Sequence, residues 1–319
     1  MDEQYDVVVV GGGAAGLSGA LALSRARRSV LVVDDGAPRN ARAGHVHNYL
    51  GREGATPAEL LASGRAEVAG YGGKFLDGRV ARAERMDDGF RVVLDDGGTV
   101  LARRLLVTTG LVDELPDVPG VAELFGSDVL HCPYCHGWEV RDRAVGVLGG
   151  PMGVHQALMW RQWTGDVTLF QHTGPAPTDE EREQLAARDI VVVTGPVERL
   201  ETAEGRLTGV RLTGGDVVPR EALVVAPRFT ARAGVLTSLG LETVPQEMNG
   251  HVVGSYVPAD PTGATAVPGV WVAGNVADLR AQVISSAAAG LNTAAMLNAD
   301  LIADDVRRAV ASRSLTGAR

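Results

Sequence analysis

At 319 residues the chain is longer than one growing core usually serves, and 45% hydrophobic with 22% charged residues is a globular rather than a disordered composition, so two domains are expected. A net charge of −9 argues against nucleic acid as a partner, and the single lysine, Lys74, sets aside Schiff-base chemistry. No uninterrupted apolar run reaches the roughly 18 residues of a membrane span. Met1-Asp2-Glu3 runs straight into a strand without a basic n-region, so a cytoplasmic protein is expected.

Tyr5 to Val10 is β-branched and apolar without alternation, as in a parallel strand buried on both faces. It leads into Gly11-Gly12-Gly13-Ala14-Ala15-Gly16 and then an alanine- and leucine-rich helical stretch to about Arg27. Gly11, Gly13 and Gly16 have the G-x-G-x-x-G spacing: a tight turn, a close approach of pyrophosphate, and a close helix–strand contact. A second strand, Ser29 to Val33, ends in Asp34, whose carboxylate suits ribose hydroxyls. Strand, motif, helix, strand and acid in this order specify a dinucleotide cradle, and the motif alone does not separate FAD from NAD.

A polar loop follows, with Pro38-Arg39-Asn40 and then His45-Val46-His47-Asn48; the two histidines are either solvated or chemical. Thr56, Pro57 and Glu59 predict a capped helix over Thr56–Ala69. Gly73 to Val107 reads as a three-stranded meander with turns at Asp87-Asp88-Gly89 and Asp95-Asp96-Gly97-Gly98, ending in Thr108-Thr109-Gly110. Prolines around Val118 to Gly120 mark a crossover between domains.

Next comes His131-Cys132-Pro133-Tyr134-Cys135-His136-Gly137-Trp138, with the only two cysteines of the chain. A zinc site would need four tetrahedral ligands, and adjacent His–Cys pairs chelate one ion poorly. Cys-x-x-Cys-His is also the c-type haem attachment pattern of exported proteins, and Cys-Pro-Tyr-Cys the glutaredoxin motif of a smaller fold. Between two nucleotide-binding modules, a redox-active dithiol is the reading the order of parts favours. His136 either exchanges protons, for which its ordinary pKa of about 6.5 is suited, or merely starts a helix; as an imidazolium it would lower a neighbouring thiol pKa.

Ala144 to Leu148, a helix from about Val154 to Trp163, and strands at Val167–Phe170, Ile190–Val193, Val197–Glu201, Thr208–Thr213 and Ala222–Val225 repeat the order of the first module. The repeat lacks its ligand chemistry. Its turn reads Gly149-Gly150-Pro151-Met152-Gly153, with no G-x-G spacing and a proline where a phosphate wants an N–H donor. No arginine follows the second strand to pair with a 2′-phosphate, which argues against NADPH. The last third, Val267 to Asp278, is a turn, a buried strand and a loop before a helix from about Gln282 through Ala295 and beyond. The dipole of that helix can favour charge on a reduced flavin.

Gly11–Gly16, Asn48, Thr108-Thr109-Gly110, Cys132–Gly137 and Pro268–Asp278 with Gln282 together resemble the low-molecular-weight thioredoxin reductase family. The resemblance implies an α/β fold of two Rossmann-like domains, each with a β-meander. An FAD domain of residues 1–116 and 240–319 would be split by an NAD(P)-binding-like domain of residues 117–239 that carries the cysteines. It implies FAD held by Gly11, Gly13, Ala14, Ala15, Gly16, Asp34, Arg39, Asn40, Asn48, Val80, Thr109, Gly110, Gly274, Asn275, Gln282 and Val283. Cys135 would face the flavin and Cys132 the external thiol. His136 where that family has an acid, Asn275 where it has aspartate, and Pro38-Arg39-Asn40 look like the dithiol oxidase branch from gliotoxin, holomycin and romidepsin biosynthesis. The expected activity is closure of a disulfide in a small natural-product dithiol with oxygen as acceptor; the alternative is an NAD(P)H-dependent reductase of thioredoxin or a small disulfide. A homodimer is expected from the resemblance alone.

Overall fold

The computed structural model describes residues 4–316. Its first sheet is built on β1 (Gln4–Val10), whose neighbours are β2 (Val30–Asp34) and β6 (Thr99–Val107), both parallel to it. The missing alternation in β1 has its reason in the two faces. Val7 and Val9 meet a helical layer that includes Leu17 and Leu23 of α1 (Ala14–Arg25) and Val68 of α2 (Pro57–Gly70). Val8 and Val10 meet Ala83, Val92, Val235 and Leu236 on the other face. With both faces covered, successive residues of such a strand are buried whichever way they point. Thr56 caps α2, with a reciprocal capping box to Glu59 and proline at the first position.

The expected three-stranded meander is shorter than the run Gly73–Val107. Lys74–Asp77 forms β3, which joins the parallel sheet beside β2, and only β4 (Val80–Met86), β5 (Gly89–Leu94) and β6 form the meander. Gly78 makes the division, with φ of 154° and its N–H donating to Asp34 O at 2.8 Å. Strand β6 pairs with β1 along one side. On the other, its first residues take β5 antiparallel and Leu105–Val107 take Val270–Val272 parallel.

From β7 (Leu111–Glu114) the chain passes to a second unit. It opens with α3 (Val121–Leu124), β8 (Val129–Leu130) and α4 (Pro133–His136). Then come β9 (Val145–Leu148), α5 (Gly153–Trp160), β10 (Val167–Phe170), α6 (Asp179–Ala186) and β11 (Val191–Val193). The antiparallel strands β12 (Val197–Ala203), β13 (Arg206–Leu212) and β14 (Val217–Pro219) precede β15 (Ala222–Val224). The parallel sheet runs β11-β10-β9-β15-β8, the same plan as β3-β2-β1-β6 with Val270–Val272. Strand β8 therefore stands where Val270–Val272 stands, and the cysteine stretch leaves the second sheet where Gly274-Asn275 leaves the first.

The return strand β16 (Arg228–Ala231) lies antiparallel to β7, Phe229 opposite Asp113. Because the two crossing segments pair with each other, the chain is handed back well before residue 240. Ala231, Ala233, Val235 and Leu236 belong to the core of Tyr5 and Val8, whereas Val118 through Val225 make separate cores. Helix α7 (Gly234–Thr237), β17 (Val244–Met248), β18 (His251–Tyr256), β19 (Val270–Val272) and α8 (Val283–Thr316) complete the fold. Among the described residues no helix is long and apolar enough to cross a membrane.

Helix α8 reaches the first cradle through a contact between backbones. A Cβ on Gly290 would overlap the Ala15 carbonyl, and one on Gly274 would come 2.9 Å from the Ala15 Cβ. Farther along, Arg103 of β6 binds Asp304 at 2.8 Å and Asp305 at 2.6 Å, and Arg104 binds Asp300 at 2.6 Å. Gly290→Ala forces α1 and α8 apart, because the obstruction is backbone and cannot swing away. Overpacking of this kind costs about 1–3 kcal/mol. Thermal denaturation is expected to show a lower midpoint than for Ala288→Ser at an exposed position of the same helix.

Candidate active site

At the end of β1 the chain turns at Gly11, whose φ is 103° and whose added Cβ would lie 2.7 Å from Thr108 O. Gly16 packs against the Gly11 carbonyl, to which the Thr108 hydroxyl also donates at 2.8 Å. Gly13 is different. Its φ of −75° suits any residue, and nothing lies within 4 Å of where a Cβ would be. No protein atom demands glycine there. The demand comes from the space in front of α1, whose N-terminus carries no side-chain cap. The Gly12 N–H donates to Asp34 Oδ1 at 3.0 Å, which keeps that carboxylate at the rim. An open helix N-terminus beside a carboxylate fits the pyrophosphate and ribose of FAD.

The cysteines start α4. Cys132 is its N-cap, Pro133 takes the first helical position, and the N–H groups of Cys135 and His136 both donate to Cys132 O at 3.2 Å. The two sulfurs share a hydrogen bond, and their acidities diverge. The hydrogen bond from Cys135 brings the Cys132 thiol down to about 7, aided by the backbone N–H groups of Cys135 and Tyr134 and by Arg39 against the opposing effect of burial. The same bond, burial and the Cys132 charge push the Cys135 thiol up. One sulfur is thus a nucleophile near neutral pH and the other a proton donor.

His136 does not supply the positive charge expected of it. Burial lowers its pKa below the ordinary imidazole value, with Glu139 opposing. It is neutral at pH 7, so the electrostatic help to Cys132 comes from Arg39 and the helix N-terminus. A neutral imidazole remains able to accept a proton. His131 is also held neutral by burial; its Nδ1 lies 3.2 Å from Val225 O and its ring meets Phe229 edge-on at 5.0 Å.

The other expected residues lie in several settings. Gly11, Gly13, Ala14, Ala15, Gly16 and Asp34 form the cradle. Val80 begins β4, just past Gly78, whose N–H is tied to the Asp34 carbonyl. Thr109 donates to Arg232 O at 2.7 Å and Gly110 accepts from Arg232 N at 2.9 Å, so this pair fastens the return segment. Gly274 has φ of 75°. The Asn275 amide donates to Asp278 O at 3.0 Å and Ala281 O at 2.9 Å, which an ionised aspartate could not do. Gln282 lies immediately before Val283, the first residue of α8, and its carbonyl accepts from Ser286 N at 2.8 Å. Arg39 gives a two-pronged grip to Asp113, at 2.7 and 2.6 Å, and reaches Asn275 Oδ1 at 3.3 Å. Asn40 closes a turn, its carbonyl accepting from Ala43 N at 3.0 Å.

Asn48 spans the two units: its Nδ2 donates to Tyr134 O at 2.6 Å. His47 does so too, with Nδ1 2.5 Å from Glu53 and Nε2 3.3 Å from Glu139, while His45 is exposed on the same loop. Glu53, Asp113, Phe229 and Trp163 were outside the sequence expectations. Asp113, Phe229 and Trp163 act on partners distant in sequence, and Glu53, though only six residues from His47, stands in an irregular loop with no periodic pattern; Glu139 alone stood near the motif. Among the described residues no group of three or more His, Cys, Asp or Glu could hold a metal ion.

The profile of the family described as pyridine nucleotide-disulphide oxidoreductase matches residues 5–294. A thioredoxin reductase of Claviceps purpurea, tcpT, is 33% identical, with 94% of this chain and 95% of that protein covered. The thioredoxin reductase sirT of Leptosphaeria maculans is 28% identical over 95% of this chain and 96% of its own. Among solved structures, HlmI superposes with a TM-score of 0.89 at 48% identity, covering 98% of this chain and 96% of that one. An oxidoreductase from Agrobacterium tumefaciens gives 0.86 at 32% identity, covering 94% and 99%.

Two outcomes test the geometry. Gly13→Val keeps an allowed backbone but fills the space before α1, so the purified protein is expected to be folded by circular dichroism and colourless. Alkylation by iodoacetamide, followed by mass mapping, is expected to modify Cys132 first, its rate rising with pH through a midpoint of about 7 as the thiolate forms. Preferential labelling of Cys135 would reverse the assignment.

Proposed function

The chain belongs to the pyridine nucleotide-disulphide oxidoreductase family as a thioredoxin reductase-like flavin oxidoreductase, and from that premise we propose that it is an FAD-dependent dithiol oxidase acting on a small natural-product dithiol. The observation that carries this reading is the contrast between the two turns. Before α1 the cradle is open at Gly13. The equivalent turn in the inserted unit leaves a cavity of only about 30 Å3, walled by Pro151, Pro175, Pro177 and Glu181 among others. The loop after β10 lies directly on it, so that a Cβ on Gly174 would come 2.8 Å from Gly150 N. The loop after β10 crowds that turn, and Glu181 adds a carboxylate at the rim. This supports a flavin fed by thiols rather than by NADPH.

Gly11–Gly16 and Asp34 would hold the pyrophosphate and ribose, and the N-terminus of α8 after Gly274-Asn275 would complete the cradle. Bound FAD supplies a two-electron acceptor for the enzyme dithiol and a donor to oxygen. The chain's own part begins with the oxidised Cys132–Cys135 pair. A substrate thiolate attacks Cys132 and the Cys132–Cys135 bond breaks, leaving Cys135 as thiolate. The second substrate thiol loses its proton and displaces Cys132, so the substrate disulfide forms and the enzyme is left with two reduced cysteines. His136, neutral in its half-buried position, accepts a proton and returns it. In total the substrate loses two electrons and two protons, which reduce oxygen to hydrogen peroxide. The partners proposed are this dithiol, oxygen and a second copy of the chain, the last in keeping with Ile284, Leu291, Ile302 and Val306 exposed along α8.

A reductase of thioredoxin or a small disulfide is the second reading, favoured by the names of the two fungal relatives. Anaerobic mixing of the holoenzyme with dithiothreitol, NADH and NADPH in parallel separates the two. The flavin's visible band is expected to bleach with the dithiol only and to recover on admission of oxygen; rapid bleaching by NADPH would sink the oxidase reading. Cys135→Ser is expected to stay yellow and lose turnover altogether.

A further inference from the structure

A cleft of about 450 Å3 opens beside the cysteine helix, and its lining includes Pro133 and Tyr134, the two residues between the cysteines. One side is aromatic. Tyr134 and Trp138 are 61% and 65% exposed, and Trp163 stands edge-on to Tyr134 at 5.5 Å. Gly137 admits Trp163, since a Cβ there would come 2.8 Å from the indole. Only 4% of the chain is aromatic, so three large rings gathered around one turn, two of them turned to solvent, are a built surface rather than background.

The other side is acidic. His47 lies between Glu53 and Glu139, and both carboxylates line the cleft. A single imidazole, even fully protonated, cancels one of those charges and leaves the other. The hydrogen bond from His47 holds the Glu53 carboxyl below its usual range, so it is ionised near neutral pH. No lysine or arginine is among the lining residues. Arg141 stacks over the Trp138 ring at 4.1 Å and donates to the Trp138 carbonyl at 2.6 Å, which braces the indole from outside the cleft.

We propose that this cleft is the dithiol-binding site and that Glu53, Glu139 and its aromatic wall make it select apolar dithiols that are neutral or cationic, against anionic ones. The proposal rests on the dithiol oxidase reading. An anionic substrate meets carboxylates that no lining lysine or arginine balances, in a cleft walled by the two residues between the cysteines, whereas a cation is drawn by the same carboxylates and by the rings. Excluding anionic thiols also keeps the abundant peptide thiols of a cell, which carry carboxylates, away from Cys132.

Three reduced lipoyl compounds with one dithiol and different charge test this on the holoenzyme by oxygen uptake: dihydrolipoate, dihydrolipoamide and its N-(2-aminoethyl) amide. The expected kcat/KM rises from acid to amide to amine, by about tenfold across the series at low ionic strength, and the spread shrinks with added salt. In the Glu53→Gln, Glu139→Gln double variant the spread is expected to collapse, while Trp138→Ala raises KM for all three alike. Equal kcat/KM values in the wild type, a preference for the acid, or an undiminished spread in the double variant would each overturn the proposal. Absence of turnover with every dithiol would instead remove the dithiol reading on which it stands.

Discussion

The hydrogen bond from Asn48 to the Tyr134 carbonyl joins residues 86 positions apart and fixes the cysteine turn against the first unit's loop. The rest of the site depends on that placement. The flavin cradle and the elements that carry the sulfurs pack into different cores, joined otherwise by the β7–β16 ribbon and by contacts such as Arg42 with the Ala122 carbonyl at 2.9 Å. Asn48 sits at φ of 59°, a left-handed conformation that asparagine tolerates better than most residues. The backbone conformation is what aims the amide at Tyr134. His47, one residue earlier, reaches Glu139 on the far side of the same turn, so the loop grips the cysteine segment on both flanks.

Within that grip the two sulfurs are made unlike by geometry alone. Cys132 is placed at a helix start with backbone N–H groups and the Arg39 charge near it, while Cys135 serves as its donor. Arg39 is kept in place by Asp113 on β7 and by Asn275 in the turn after β19. The residue whose charge tunes the nucleophile is therefore tied to both the crossing ribbon and the flavin cradle. Movement of any one of the three would be felt at the thiol.

Much of this was legible in the sequence because local rules carried it. The β1 run without alternation, the glycine spacing with Asp34, and the Thr56-Pro57-Glu59 start of α2 each express a constraint acting over a few residues. The broken turn at Gly149–Gly153 was legible for the same reason, although that Gly174 and Pro175–Pro177 close over it was not. What sequence concealed was pairing at a distance. Lys74–Asp77 reads like one more meander strand, and only its register with β2 places it in the parallel sheet. His136 reads as a cation until its burial is known, and Asp113 reads as an ordinary strand acid until Arg39, 74 residues away, is found against it.

Strand β6 has a consequence for how the protein comes into being. The cores of the inserted unit draw on residues from Val118 to Val225, one continuous stretch that can close while synthesis is still under way. The host is not so free. Its sheet lacks β19 until Val272 exists, and its helical layer lacks Ala294, Leu297 and Leu301 until α8 is made. The passenger thus matures before the vehicle. The close approach of Gly290 to Ala15 likewise waits for α8, so the first cradle takes its final form only when the C-terminal helix is in place.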